Sequence, residues 1–241
     1  MKSISIYGRF SLLVAVVSLP FILYIGTTIY DGREKLIAAT QVANRTLAEV
    51  TATHVYRTMS DVLILASELA RRPELRAGET ANCNRVLADF QQLHVGFLAA
   101  SFNDEHGVMR CLSTATADAP EPVSIADLEW FTRVKSELRP IISQPYFGRI
   151  QKRWLVIAAA PVFDGASRFI GSVVIPLDLR LLGRGIEPSL PKESYIAIVD
   201  GNGTVLTRAP DFDKWVGTNV KDNELIAYAL RTGLGVARGP N

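Results

Sequence analysis

From Phe10 to Tyr30 the chain carries no charged residue, and no later stretch is as apolar. As a helix rising about 1.5 Å per residue, this run spans roughly 30 Å, the thickness of a bilayer's hydrocarbon core. Lys2 and Arg9 precede it, Asp31 follows at once, and Arg33, Glu34 and Lys35 make a mixed-charge exit. The positive flank predicts a cytoplasmic N-terminus over residues 1–9, a transmembrane helix over 10–30, and everything beyond on the far side of the membrane. A cleaved signal peptide is the competing reading. The apolar core is long for one, and Gly26-Thr27-Thr28 is a poor small-x-small cleavage site. Pro20 falls mid-span, where membrane helices tolerate it.

About 210 residues follow the run, enough for one large domain or two small ones. A formal net charge of +2 implies no nucleic-acid partner and no strongly acidic surface. Cys83 and Cys111 both fall on the exported side, where an even pair reads either as a disulfide or as two buried thiols. Bridged, they would close a loop of about 28 residues, worth about 3–4 kcal/mol in the chain-entropy model.

Residues 31–76 read as a stalk, helical from Arg33 to Arg72, with no Pro and no Gly after Gly32. Val55, Met59, Val62, Ala66 and Leu69 alternate steps of four and three, a heptad seam. Upstream the seam decays into Gln41, Arg45, Ala48 and Ala52. The upper half is expected to pack on its own domain, and the lower half is a candidate homodimer contact. Arg71-Arg72-Pro73 stops the helix. A polar loop over Pro73–Asn82 and a short helix over Asn84–Leu93 come next.

The pattern then becomes β-like. Phe97–Phe102, the turn Asp104-Glu105-His106-Gly107 and Val108–Leu112 read as a hairpin. The arrangement recurs at Tyr195–Val199, Asp200-Gly201-Asn202-Gly203 and Thr204–Thr207, again with an Asp-x-x-Gly turn. Two such hairpins suggest a duplicated unit. Between them, Ser124–Val134 reads as a helix with Ser124 and Asp127 in a capping box. Strands follow near Tyr146–Ile150, Arg153–Ala160 and Arg168–Ile175, with a turn at Asp164–Ser167. The expected fold class is α+β: an antiparallel PAS-like sheet with helices on one face and a cup for a small ligand on the sheet. A second such unit runs over 183–241 and breaks off after the helix near Asp222–Thr232, with Val236-Ala237-Arg238 opening a further strand. The chain is therefore expected to be a fragment that lacks a second membrane helix.

With these pieces in place, the chain resembles the bacterial tandem (double) Cache family of extracytoplasmic sensors. The resemblance is carried by the anchor and stalk, Trp130-Phe131, Pro145-Tyr146-Phe147-Gly148-Arg149-Ile150, Arg153-Trp154 and Ala160-Pro161-Val162 with Asp164-Gly165. Phe169-Ile170-Gly171, Pro176-Leu177-Asp178-Leu179 and the stretch from Tyr195 through Trp215-Val216-Gly217 complete it. It implies a membrane-distal ligand-binding domain over 77–182, a membrane-proximal one over 183–241, and a place in the bacterial inner membrane. It also implies a sensor feeding a histidine kinase, a diguanylate cyclase or a chemotaxis module. In the family's amino-acid-binding branch the pocket uses an Arg, a Trp with an aromatic neighbour, a later Tyr and an Asp. Trp130, Phe131, Tyr146 and Asp178 match, whereas the Arg position is Leu128 here. The usual clamp on a ligand carboxylate is thus missing, and Arg133 and Arg149 are the substitutes in sequence.

The candidate ligand-binding residues are Trp130, Phe131, Tyr146, Arg149, Trp154 and Asp178. Each has a structural alternative. Trp130 and Phe131 equally suit a core, Arg149 a solvated turn, and Asp178 a helix cap. His54, His94 and His106 are scattered, and no metal-ligand spacing, phosphate loop or nucleophile motif occurs, so neither cofactor nor metal is expected. The reading is a membrane-anchored sensor that binds a small molecule and signals through its stalk, with no catalysis in this chain. A membrane-tethered periplasmic enzyme and a structural assembly protein are the alternatives.

Overall fold

In a computed structural model, residues 6–76, 80–94, 97–114, 123–183 and 195–232 are described, the side chains of residues 6–15 and Thr80 excepted. Helix α1 runs Ile6–Ala70. The chain divides into two compact units, residues 1–50 and 51–241.

The described residues of the first unit all belong to helix α1. From Val16 to Tyr30 its large apolar side chains are exposed, Val16, Leu19, Phe21, Ile22, Leu23 and Tyr24 among them. Among the described residues no helix is long and apolar enough to cross a membrane. The charge-free run starts at Phe10, so its first turns lie outside the described side chains. Farther along, Arg45 and Glu49 form an i,i+4 ion pair.

The second unit is built on a sheet with two dissimilar faces. Its elements are α2 (Pro73–Arg76), α3 (Thr80–Leu93), β1 (Ser101–Asp104), β2 (Met109–Leu112), α4 (Glu129–Glu137), β3 (Ile141–Ile142), β4 (Tyr146–Phe147), β5 (Trp154–Phe163), β6 (Phe169–Asp178) and α5 (Leu179–Leu182). Then come β7 (Ile196–Val199), β8 (Val205–Ala209), α6 (Phe212–Trp215) and α7 (Glu224–Thr232). Strands β2-β1-β6-β5-β3 form one antiparallel sheet, to which β4 adds by pairing with β5; β7 and β8 form a second sheet of two.

Strand periodicity sends alternate residues to opposite faces. Val156, Ala158, Ala160 and Val162 of β5 and Val173, Ile175 and Leu177 of β6 join Val55, Val62, Ala66 and Leu69 of α1 and Leu87 of α3 in one core. The upper heptad seam is therefore the packing face of its own domain. Ile157, Ala159 and Val174 point the other way and pack with Trp130, Phe131 and Val134 of α4. Pro161 does not end β5, as its sequence position suggests. Strand β3 pairs only as far as Ala159, so beyond it β5 is an edge, where a residue without N–H is tolerated. Pro176 likewise follows the last β1 partner, Val174.

Two other boundaries differ from expectation. Part of the stretch expected as a loop, Pro73–Arg76, is helix α2, with Pro73 at its first position and Leu75 buried. Helix α4 starts at Glu129, its N-cap is Leu128, and no side chain caps it. Ser124 instead bridges to Val108 in extended backbone. The capping-box spacing was present, but strand pairing holds Ser124 away from the helix. Cys83 and Cys111 form the disulfide, tying α3 to β2, and Asn84 Oδ1 accepts from Leu112 N beside it at 2.9 Å.

The two Asp-x-x-Gly hairpins share one construction. Asp104 Oδ1 accepts from the N–H groups of His106 and Val108, and Asp200 Oδ1 from those of Asn202 and Thr204. Gly107 and Gly203 take φ of 75° and 79°. A strap then crosses each hairpin: Ile125 N donates to Gly107 O and Val220 N to Gly203 O, both at 2.8 Å. A nine-residue helix follows each strap, α4 and α7. Burial pushes the Asp104 carboxyl up, but the Val108 N–H, Arg110 and the His106 N–H outweigh it and hold it below its ordinary 3.8. A Cβ on Gly107 would stand 2.8 Å from the Ala126 backbone, and one on Gly203 would stand 2.8 Å from Lys221 Cβ. Gly107→Ala and Gly203→Ala are each expected to cost about 1–3 kcal/mol, from left-handed strain together with displacement of the strap. Urea denaturation of the two variants measures this.

Candidate functional site

A cavity of about 180 Å³ lies between the α4 side of the sheet and the strap before α4. At roughly 30 Å³ per water, it has room for a small organic molecule. Strand β1 supplies Ser101 and Asn103, β6 supplies Val174 and Pro176, and β5 supplies Ile157. The strap contributes Val123, Ser124 and Ile125, and Leu128 and Trp130 roof the cavity. Tyr146, Arg149, Ile150 and Gln151 close one side.

The wall is mainly apolar, with a few polar groups aimed inward. Trp130 is 4% exposed, and its buried indole Nε1 lies near the Tyr146 hydroxyl without forming a well-aligned hydrogen bond. Asn103 is 1% exposed; its amide nitrogen reaches Ser101 Oγ at 3.4 Å, and its Oδ1 is unpartnered. Burial raises the Tyr146 hydroxyl above its ordinary 10.0, while the nearby Trp130 N–H and the Arg149 charge pull it back. The phenol is therefore a neutral donor at any physiological pH. Arg149 stands at the exposed mouth and holds Asp127 with both terminal nitrogens. That bonding depresses the Asp127 carboxyl.

Of the residues singled out in the sequence, Trp130, Tyr146 and Arg149 meet at this cavity. Phe131 is buried edge-on to Trp130, 6.2 Å between centroids, in the core under α4. Trp154 packs edge-on to Phe147 and lies so close to Gly217 that a Cβ there would come within 2.2 Å of its ring. Asp178 caps α5 by accepting from Arg180 N at 2.9 Å and pairs with Arg153 at 3.0 Å. It lies on the same side of β6 as Val174 and Pro176 but one step past the cavity, opposite Leu155. Val174 and Pro176 are the β6 residues that reach the space. Arg133 is taken up by Glu129 and Glu137 on α4 itself and does not line the cavity.

Ser101, Asn103, Leu128 and Pro176 were not on the sequence-based roster. The available signal was the alternation of polar Ser101 and Asn103 with apolar Ala100 and Phe102, two polar groups turned to one side of a buried strand.

The chain matches no protein-family model and no curated protein sequence. Its fold is shared with solved sensor domains. The extracellular domain assigned to the histidine kinase rpHK1S-Z16 aligns with a TM-score of 0.66 at 16% identity, over 78% of this chain and 77% of that one. The ligand-binding domain of the Pseudomonas aeruginosa amino acid chemoreceptor PctC, solved with GABA, aligns at 0.61 with 18% identity, over 79% and 83%. That of the Pseudomonas fluorescens chemoreceptor CtaA, solved with L-isoleucine, aligns at 0.60 with 19% identity, over 75% and 72%. The fold is thus that of extracellular ligand-binding domains of histidine kinases and chemoreceptors.

Because burial dominates at Tyr146, its phenol is expected to ionise above 10.0. Ultraviolet difference titration should show a late-titrating tyrosine that Tyr146→Phe removes.

Proposed function

We propose that this chain is the ligand-sensing region of a bacterial membrane signal-transduction receptor, and that the cavity under α4 holds its ligand. The observation that carries this reading is the cavity itself, an apolar space with a buried, unpartnered Trp130 N–H and a neutral Tyr146 hydroxyl beside it. Such inward, unsatisfied groups are costly in a folded protein unless something comes to meet them.

In this reading residues 77–182 form the membrane-distal domain and 183–241 belong to a membrane-proximal one. The repeated hairpin, strap and helix support the division. Trp154 on Gly217, and Leu206 and Val216 in the main core, give the two modules a shared packing surface. The run from Phe10 to Tyr30 spans the bilayer with the N-terminus cytoplasmic. Its support is the helical backbone from Ile6 and the all-round exposure of apolar side chains from Val16 to Tyr30, which water disfavours and lipid accepts. The chain pairs with a second copy through the stalk and carries no catalysis of its own. A ligand moves such a receptor only through its differential affinity for two states. Strands β5 and β6 are the natural carrier, since they touch the cavity on one face and α1 on the other.

A thermal-shift screen with amino acids, carboxylates, amines and purines tests the binding half. At a hundred times Kd a true ligand adds about 2.7 kcal/mol, several degrees in Tm. At least one class should give such a shift, and Trp130→Ala or Tyr146→Ala should abolish it. Silence across all four classes would sink the reading. For the anchor, the full chain should stay in the membrane pellet after alkaline carbonate extraction; recovery in the supernatant contradicts a spanning helix.

A further inference from the structure

The proposal that the cavity binds a ligand leaves the chemistry of that ligand open, and the polar groups around the cavity narrow it. Three donors gather on one side. The Trp130 indole N–H is buried and unpartnered. The Tyr146 hydroxyl neighbours both this N–H and the Arg149 guanidinium. Arg149 lines the mouth. Among the described lining residues there is no Asp or Glu. Asp127 is held by Arg149 at the exposed rim, and Asp178 is committed to Arg153 and to the α5 cap. The remainder of the wall is apolar, with Leu98, Ile125, Leu128, Ile157 and Val174.

A ligand ammonium in this space would lose its water and meet only neutral side-chain oxygens, those of Asn103, Ser101, Ser124 and Gln151 among them, which leave its charge uncompensated. A carboxylate would find donors already turned inward, and hydrogen bonds to a charged group are the stronger kind. Resting on the cavity reading above, we propose that this site selects an amine-free carboxylate on a short apolar body, its head received by Trp130, Tyr146 and Arg149, over the equivalent molecule bearing an ammonium group. Leu128 is part of the same logic. It closes the cavity with apolar surface, which suits the body of the ligand.

Three molecules with one isobutyl body separate the charges: isovalerate (carboxylate only), isobutylamine (ammonium only) and L-valine (both). Calorimetric titration of the full chain in detergent micelles should show isovalerate binding roughly tenfold or more tighter than L-valine, with isobutylamine weakest. Trp130→Phe keeps the ring and removes the N–H, and it should weaken isovalerate on the order of tenfold. Arg149→Gln, at an exposed position, should also weaken it and should not weaken isobutylamine. L-valine or isobutylamine binding as tightly as isovalerate overturns the proposal, as does isovalerate affinity indifferent to both variants. If none of the three binds while the wider screen finds another ligand, the carboxylate assignment falls and the sensor reading stands. If no compound of any class binds, both fall.

Discussion

Everything in the folded domain hangs on the pairing of β5 with β6. The two strands run antiparallel from Leu155 opposite Asp178 to Val162 opposite Gly171, and nearly every residue in both is buried. A strand pair covered on both faces must be apolar on both, and this one is. One parity of residues meets α1 and α3, the other α4 and the cavity. A one-residue slip of either strand would exchange its two faces, turning Val156 or Ile175 toward the cavity and Ile157 or Val174 toward the stalk helix. The register therefore decides both how the helix is held and what the ligand space is made of.

The strands also explain why the candidate ligand space lies on the α4 side of the sheet. On the first face Val55, Val62 and Leu69 of α1 and Leu87 of α3 pack against the strands. On the second, α4 is short and late-starting, and the strap before it passes over small residues of β1, Ser101 among them. The Cys83–Cys111 bridge holds α3 to the strand beside this region. A change inside the cavity is thus two side-chain layers from helix α1, with β5 and β6 between.

Much of this was legible in the chain. The charge-free run, the heptad from Val55 to Leu69, the two long apolar strands and the Asp-x-x-Gly turns all express local rules of period, propensity and turn chemistry. Helix α1, the second hairpin and the two long strands lie close to where those rules put them, whereas β1 is Ser101–Asp104 rather than Phe97–Phe102, and the two-residue β3 was not expected. The misreadings share a cause. Ser124 has the spacing of a helix cap, yet its pairing with Val108 takes precedence. Pro161 looks like a strand end, yet an open edge on that side of β5 accommodates it. In each case a contact remote in sequence outweighed a local preference, and no local pattern reports such contacts.

The site shows the same division most sharply. By itself the sequence determined that Trp130, Tyr146 and Asp178 belong to elements that bury a face, since periodicity assigns each residue a side. Only the tertiary structure decided that Trp130 and Tyr146 meet at one cavity while Asp178, on the correct side of β6, stops one step beyond it and closes on Arg153 and the α5 cap. Parity along a strand fixes which way a side chain points. How far along that strand the roof helix lies depends on packing between elements distant in sequence, and that distance separates a ligand contact from an ion pair.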